Sequence, residues 1–449
     1  MRLNRITIAL LLAAHAAIPG PAAAETVRFW TSEIDTAGPG LATLEYLVTA
    51  FEARYPDVDL VVSRVVEEEI SAAVIDAVKT SSAPPDIIHT TAENLLTLYR
   101  RGLLDGTPAS ELVAASGTAR FFPGSIGAFS PNGDGRNIYA VPIHGWVQAV
   151  WYRKDLFDAL GLPPPDSVPR LVAAAKALHD PAAGRFGIVM GTGATLYAEQ
   201  VFTQMAYSQG ARIFDPDGNF TLDDPAFREA LKSYQTLARY TPPGPGTWES
   251  RYNYLGGRAA MIFVSSFIMS DLARVAAGIY DQKRDDFSYD SELLNRSRIV
   301  PVLNGTRPAG FGTLVGLGFT ETGTNAARRG AADFARFLLT NAANIAFLHI
   351  SPGGMLPVLQ DVAQSQSFYS DLTDILSRYG RLQIERLTSG FQSMVTVGFS
   401  RGRPEPRYAP YFDRGVVRKL LGIVTSNPDL PVEDAIAMVR DWEPGAAGK

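Results

Sequence analysis

The chain has 449 residues, 46% of them hydrophobic and 19% charged, with a formal net charge of −5. That length allows about two or three domains and a sizeable core, which excludes both a small stapled domain and a disordered chain. A mildly acidic balance without any Lys/Arg run argues against nucleic acid or anionic membrane as a partner; with no cysteine, the fold must rest on its hydrophobic core.

The first 24 residues read as a secretory signal peptide. Arg2 and Arg5 make a basic start, Ile6 to Ile18 is mostly apolar, and Ala22-Ala23-Ala24 fits an A-x-A cleavage site. The apolar run is too short to span a membrane, and no later stretch of about 18 uninterrupted apolar residues exists. Cleavage after Ala24 removes 24 of the 449 residues and leaves 425; losing Arg2 and Arg5 takes the charge from −5 to −7. No cysteine stands at the cleavage site to carry a lipid. The expected address is the periplasm, with free release as the alternative.

Thr26 to Trp30 reads as a first strand, Leu41 to Ala53 as a helix ended by Tyr55-Pro56, Val58 to Val66 as a second strand and Ile70 to Lys79 as a second helix. Asp86 to His89 is the third strand and Glu93 to Arg101 the third helix. Alternation of this kind predicts a parallel, doubly wound α/β sheet, in which ligands bind outside the carboxyl ends of the strands. His89, Thr90 and Glu93 fall at such an end. Thr90 with Glu93 also fits a T-x-x-E capping box, and a helix N-terminus offers N–H donors of its own, so capping and ligand binding both stay open.

Beyond this the pattern changes. Ile138 to Pro142 and Ala149 to Tyr152 read as short strands separated by a loop at His144-Gly145-Trp146. Helices are expected over Lys154–Leu160, Val168–Leu178, from near Pro225, over Val264–Val275 and over Ala326–Leu348. Asp215, Asp217 and Asn219 imitate the start of a calcium loop, but position twelve is Ala226 rather than Glu, so a turn is expected and not a metal site.

Several of these segments, in order, resemble the extracellular solute-binding proteins of ABC transporters, in the family of maltose, oligosaccharide and glycerol-phosphate binders. IYAVPIHGWVQAVWYRKDLFDALGL resembles that family's strand–loop–strand–helix around Y-x-V-P and Y-N-K-D-L-F. FDPDGNFTLDDPAFREALKSYQTL resembles its turn before a helix, and LGGRAAMIFVSSFIMSDL its G-K-A-A-M segment. AARRGAADFARFLLTNAANIAFLHISPGGMLPVLQDV resembles its helix followed by G-x-x-P-V, and GRPEPRYAPYFD its R-P-x-P-x-Y stretch. Arg153 departs from the family's usual Asn, and Phe267 stands where a Trp often follows. The resemblance implies a two-lobed periplasmic-binding-protein fold, each lobe a sheet flanked by helices, with the ligand in the cleft between them. One lobe would hold 25–137 with 299–350, the other 138–298 with 351–449, with the first crossover near the Asn132–Asn137 turn and hinge closure over the ligand.

Enzyme signatures are missing: there is no H-E-x-x-H, G-x-S-x-G or G-x-x-x-x-G-K-[ST], and the five histidines nowhere cluster with carboxylates at metal spacing. A pair of acids for glycoside hydrolysis is the one catalytic arrangement that spacing leaves open. A binding site is better supported. Sugars present apolar ring faces beside many hydroxyls, so their sites combine aromatic platforms with polar groups. Trp30 and Glu33 follow the first strand, and His89, Thr90 and Glu93 the third. His144 and Trp146 lie in the next loop, Tyr197 in GATLYAEQVF, and Trp248 in TWESRYNY. Ser266 and Phe267 precede a helix, and Gly354 brings backbone close to a ligand. Each aromatic alone also fits packing, and Ser266 also fits a cap; the argument is collective. Arg403, with Arg251, Arg258 and Arg401, is a candidate for an anionic substituent. The expected function is periplasmic delivery of a carbohydrate to an ABC permease, by a monomer without cofactor or metal. A binder of a glycerol-phosphate-like anionic polyol is the alternative, and a secreted hydrolase the lesser one.

Overall fold

The structure is a computed structural model describing residues 24–34, 40–122, 124–214, 220–242, 246–280, 288–371, 374–389, 394–395, 397, 399–400, 403–404 and 408–440. The expected signal peptide and the imitation calcium loop at Asp215–Asn219 therefore lie outside the described residues. The N-terminal alternation holds. β1 (Glu25–Thr31) pairs in parallel with β2 (Val58–Arg64) on one side and β3 (Ile87–Thr91) on the other, with helices Leu41–Arg54, Ile70–Thr80 and Ala92–Arg100 between and after them. In β1 the two-residue period puts Val27, Phe29 and Thr31 on the buried face.

The sheet is mixed rather than wholly parallel. β4 (Ala140–Arg153), β5 (Met261–Ser265), β6 (Ser297–Val300), β7 (Val302–Leu303) and β8 (Ala309–Phe319) add antiparallel pairings, giving the order β2-β1-β3-β8-β4-β5. The two short strands expected around His144-Gly145-Trp146 are one continuous 14-residue strand, buried throughout. Its first part, Ala140 to Gln148, pairs with β8; from Gln148 onward it pairs with β5, and from Val150 with β6. A register shift between Pro142 and His144 accommodates the proline, so ladder partners on both flanks override a loop-like sequence.

Two helix expectations are corrected for similar reasons. Val264–Val275 is split, because Met261–Ser265 completes the edge of β4, and only Ile268–Ala276 is helical. Ala326–Leu348 is two helices, Asn325–Leu338 and Asn341–Leu348. Thr340 is extended, and Arg120 donates to the Leu339 carbonyl at 2.6 Å, occupying an acceptor that a continuous helix would use. Among the described residues no helix is long and apolar enough to cross a membrane.

Large side chains fill the core: Trp151, Tyr139, Tyr234, Tyr254 and Phe29 are all fully buried, and burying a large apolar side chain stabilises by roughly 1.5–3 kcal/mol. One polar line runs through it. Thr31 Oγ1 accepts from the N–H groups of Glu33 and Ile34, each at 3.2 Å, so its own O–H is left to donate to His89 Nδ1 at 2.9 Å. His89 Nε2 then donates to His144 Nε2 at 3.0 Å, tying β3 to β4 across β8. Both rings are 0% exposed and pack on Phe347. Burial pushes His144 down to about 3; burial, and then the neighbouring ring, holds His89 well below the imidazole range.

These depressed values make the pair acid-sensitive. Unfolded imidazoles take protons near pH 6.5 while the folded ones stay neutral, so stability falls as pH drops below that value toward about 3. His144→Gln should be destabilising near neutral pH, and its deficit relative to wild type in urea unfolding should narrow by up to about 1.4 kcal/mol per pH unit below pH 6.5. A deficit that stays constant with pH contradicts a neutral buried pair.

Candidate ligand-binding site

Two adjoining cavities of about 310 and 300 Å³ share Glu67 and Gln200 in their walls. On one side of the larger cavity stand Ser32 and Glu33, just after β1, with Arg64 and Glu67 at the end of β2. Trp146 and Gln148 of β4, Tyr197, Trp248 and Phe267 line it as well. Glu67, Glu68, Thr91, Glu93, Arg101 and Arg418 line the smaller cavity. Carboxyl ends of parallel strands thus supply one wall, as expected of an open α/β sheet.

Local structure fixes the aromatic side. Tyr197 lies in the first turn of helix Leu196–Ser208, whose N-cap Thr195 accepts from Ala198 N–H at 3.1 Å; the Tyr197 hydroxyl donates to the Phe263 carbonyl at 2.8 Å. Trp248, 45% exposed, opens helix Thr247–Leu255 and has the Arg251 guanidinium 4.9 Å from its ring centre. Arg251 is in turn paired with Asp271 at 3.1 Å. Phe267 stands between β5 and helix Ile268–Ala276. Behind it, a Cβ built on Gly354 would come 2.4 Å from the Phe267 ring and 2.6 Å from Ser351 Oγ. Only hydrogen fits there.

The polar groups divide into satisfied and waiting. Gln148 is 1% exposed and sits where β4 changes partner, opposite both Phe311 and Ser265; its Nε2 has no hydrogen-bond partner among the described residues. Ser270 Oγ, on a residue 5% exposed in the same cavity, also has none. Buried donors of this kind cost about 1–3 kcal/mol each unless something binds them. Burial, followed by repulsion from Glu93 and Glu68, pushes Glu33 up to about 7 against the opposing Ser32 hydroxyl and Arg64. Burial and then Glu33, Glu68 and Glu93 hold Glu67 well above the carboxylate range. Among the described residues no three metal-ligating side chains converge on one point.

Of the residues singled out in the sequence, Glu33, Trp146, Tyr197, Trp248 and Phe267 line the larger cavity and Glu93 the smaller. The others are placed differently. His89 and His144 lie beneath the site in the buried line described above, because β3 and β4 are covered on both faces. Thr90 is fully buried; its hydroxyl pairs with Ser32 Oγ at 2.8 Å and accepts from Asn94 at 3.2 Å. It is not the cap of the next helix either, since the N-cap is Thr91, which makes no side-chain capping bond. Trp30 points to the face of β1 opposite Phe29 and packs half-buried against the core. Ser266 is 0% exposed, its N–H donating to the Val147 carbonyl at 2.7 Å. Gly354 acts behind Phe267 rather than at the cavity surface. Arg403 belongs to the short strand Arg403–Pro404, and its side chain lies outside the described residues.

Sequence reasoning missed Arg64, Glu67, Gln148 and Ser270. The first two were findable, since they end the second strand as Glu33 ends the first. Gln148 had a fainter signal, a lone amide inside VQAVWY. Glu199, two residues after Tyr197 in the same helix, is consumed within the protein. It accepts from the Tyr408 hydroxyl and pairs with Arg418 Nε at 3.1 Å.

Residues 37–345 match the family model described as bacterial extracellular solute-binding protein. A curated relative, YcjN of Escherichia coli (strain K12), provisionally named an ABC transporter periplasmic-binding protein, is 27% identical over 386 residues, covering 86% of this chain and 84% of its own. Maltose-bound MalE3 of T. maritima aligns with a TM-score of 0.72 at 18% identity, over 92% of this chain and 97% of its own. A solute-binding protein of Agrobacterium radiobacter K84 in complex with ribitol aligns with the same TM-score and identity, over 94% of this chain and 100% of its own. At such identity the structural likeness bears on the fold alone.

The packing of Phe267 on Gly354 is directly testable. Gly354→Ala should cost about 1–3 kcal/mol in urea unfolding by overpacking, and much less when Phe267 is already alanine. Equal costs in both backgrounds rule out the proposed contact.

Proposed function

The chain belongs to the bacterial extracellular solute-binding proteins, and from that premise we propose that it is the periplasmic binding component of an ABC importer for a carbohydrate. The observation that carries the carbohydrate reading is the larger cavity itself. Aromatic faces at Trp146, Tyr197, Trp248 and Phe267 stand beside two buried polar groups, Gln148 and Ser270, that have atoms without partners. Aromatic rings suit the C–H faces of a pyranose or polyol, and waiting polar groups suit its hydroxyls. The maltose and ribitol held by the structural relatives agree with this class of ligand.

The proposed lobes are 25–137 with 299–350 and 138–298 with 351–449, which puts Glu33, Arg64, Glu67 and Glu93 on one side of the cleft and Tyr197, Trp248 and Phe267 on the other. Binding then bridges the lobes and favours closure. The first 24 residues direct export and are removed, the product is a periplasmic monomer without a lipid, and a membrane permease receives the solute. An anionic polyol is the second reading, favoured by Arg64 and Arg274, which line the larger cavity without an ion-pair partner among the described residues. Carboxyls with raised proton affinity also occur in hydrolases; here they serve recognition, and no turnover is proposed.

A thermal-shift panel of sugars, polyols and their phosphates identifies the solute, with a stabilisation of about 2.7 kcal/mol expected at a hundredfold excess over Kd. Scattering at saturation should then show a smaller radius of gyration, and the solute should be recovered unchanged. Trp248→Ala, at a half-exposed position, should weaken binding about tenfold with the fold intact. Accumulating product would sink the transport reading in favour of a hydrolase; an unchanged radius would remove interlobe closure.

A further inference from the structure

We propose that the solute is a glycoside of disaccharide length, with one ring in the larger cavity, its second unit in the smaller and its linkage between Glu67 and Gln200. This rests on the carbohydrate reading of the cleft and adds a length to it. The cavities measure about 310 and 300 Å³ and have two wall residues in common, Glu67 and Gln200. Ligand sites span roughly 300–1,000 Å³, so each cavity alone stands at the floor of that range and the pair well inside it.

The two compartments differ in chemistry. Trp146, Tyr197, Trp248 and Phe267 give the larger one its ring faces. The smaller is lined by aliphatic Ala72, Ile75 and Leu196 beside the hydroxyl-bearing Thr97. Its one ring among the described residues, Phe412, has the Arg418 guanidinium 4.8 Å from its centre. A single sugar on the aromatic side would therefore leave water against the aliphatic surface next door. A second unit displaces that water and buries the surface.

The shared residues suit a linkage. Gln200 belongs to helix Leu196–Ser208, whose other side chains are pinned around it. The Tyr197 hydroxyl donates to the Phe263 carbonyl at 2.8 Å, the Thr203 hydroxyl to the Glu199 carbonyl at 2.7 Å, and the Glu199 carboxylate is held by Tyr408 and Arg418. The half-buried Gln200 amide makes no side-chain hydrogen bond among the described residues, so a rigid helix presents it uncommitted. A glycosidic oxygen only accepts, whereas the hydroxyls flanking it also donate. An amide meets both needs, and so does Glu67, whose proton burial retains well above the carboxylate range. On the proposed lobes these two residues come from different sides of the cleft, so a ligand spanning both cavities engages both.

The experiment is calorimetry near pH 7 with glucose, galactose, mannose and sorbitol against maltose, cellobiose, lactose, trehalose and maltitol. At least one two-unit ligand should bind about tenfold or more tightly than either of its parts. Ala72 is exposed on helix Ile70–Thr80 and lines the smaller cavity alone, so Ala72→Phe obstructs that cavity without disturbing the core. It should weaken the two-unit ligand about tenfold and leave monosaccharide binding unchanged; Gln200→Ala should weaken the two-unit ligand more than its parts. A monosaccharide or sorbitol that binds as tightly as every two-unit ligand overturns the proposal and leaves the carbohydrate reading in place. Full two-unit affinity in both variants does the same. No binding by any member of the panel overturns both readings together.

Discussion

The antiparallel ladder between β4 and β8 is the constraint on which the rest depends. Both strands are buried along their whole length, and their pairing runs from Ala140 to Gln148. β8 hands the ladder on to β3 and so to the parallel β1 and β2; β4 hands it on to β5 and β6. The parallel strands β1–β3 and the strands β5 and β6 therefore belong to one hydrogen-bonded sheet. Gln148, the residue at which β4 exchanges one partner for another, is also a cavity-lining side chain with an unmet donor. Cavity wall and structural junction coincide at one position.

Below and beside this ladder, polar groups are treated in opposite ways. The line from Thr31 through His89 to His144 is buried and neutral where it crosses the sheet, although His144 Nδ1 has no hydrogen-bond partner among the described residues, so it ties β1, β3 and β4 together without exposing charge. By contrast, Glu33, Glu67 and Glu93 line the two adjoining cavities, and burial first, then neighbouring carboxyls, raise the proton affinity of Glu33 and Glu67.

The aromatic wall shows how packing sets shape. Phe267 can occupy its position only because Gly354 leaves its place behind the ring empty, although the two are far apart in the chain. Tyr197 is held by a helix cap and a hydroxyl bond, Trp248 by the guanidinium of Arg251. These are rigid supports on regular elements, so the cavity's outline is largely formed before any ligand arrives.

What the amino-acid sequence determined by itself was local and periodic. The two-residue and 3.6-residue periods placed β1, β2, β3 and their helices to within a residue or two, and five ordered segments identified the family. The alternation also placed Glu33 and Glu93 at strand ends, where both line the cavities. Tertiary structure decided what depends on partners distant in the chain. A stretch carrying Pro142 and Gly145 became one continuous strand because β8, β5 and β6 were there to pair with it, and so His144 moved from an expected loop into the core. The strand-end rule named His89 and Thr90 but not the direction of their side chains, and both are spent on hydrogen bonds within the protein. Arg120, reaching from a distant turn to the Leu339 carbonyl, divided a helix that periodicity alone would have run through. Periodicity records which face of a segment is apolar; only long-range contacts decide which polar groups are consumed in holding the fold and which remain for a ligand.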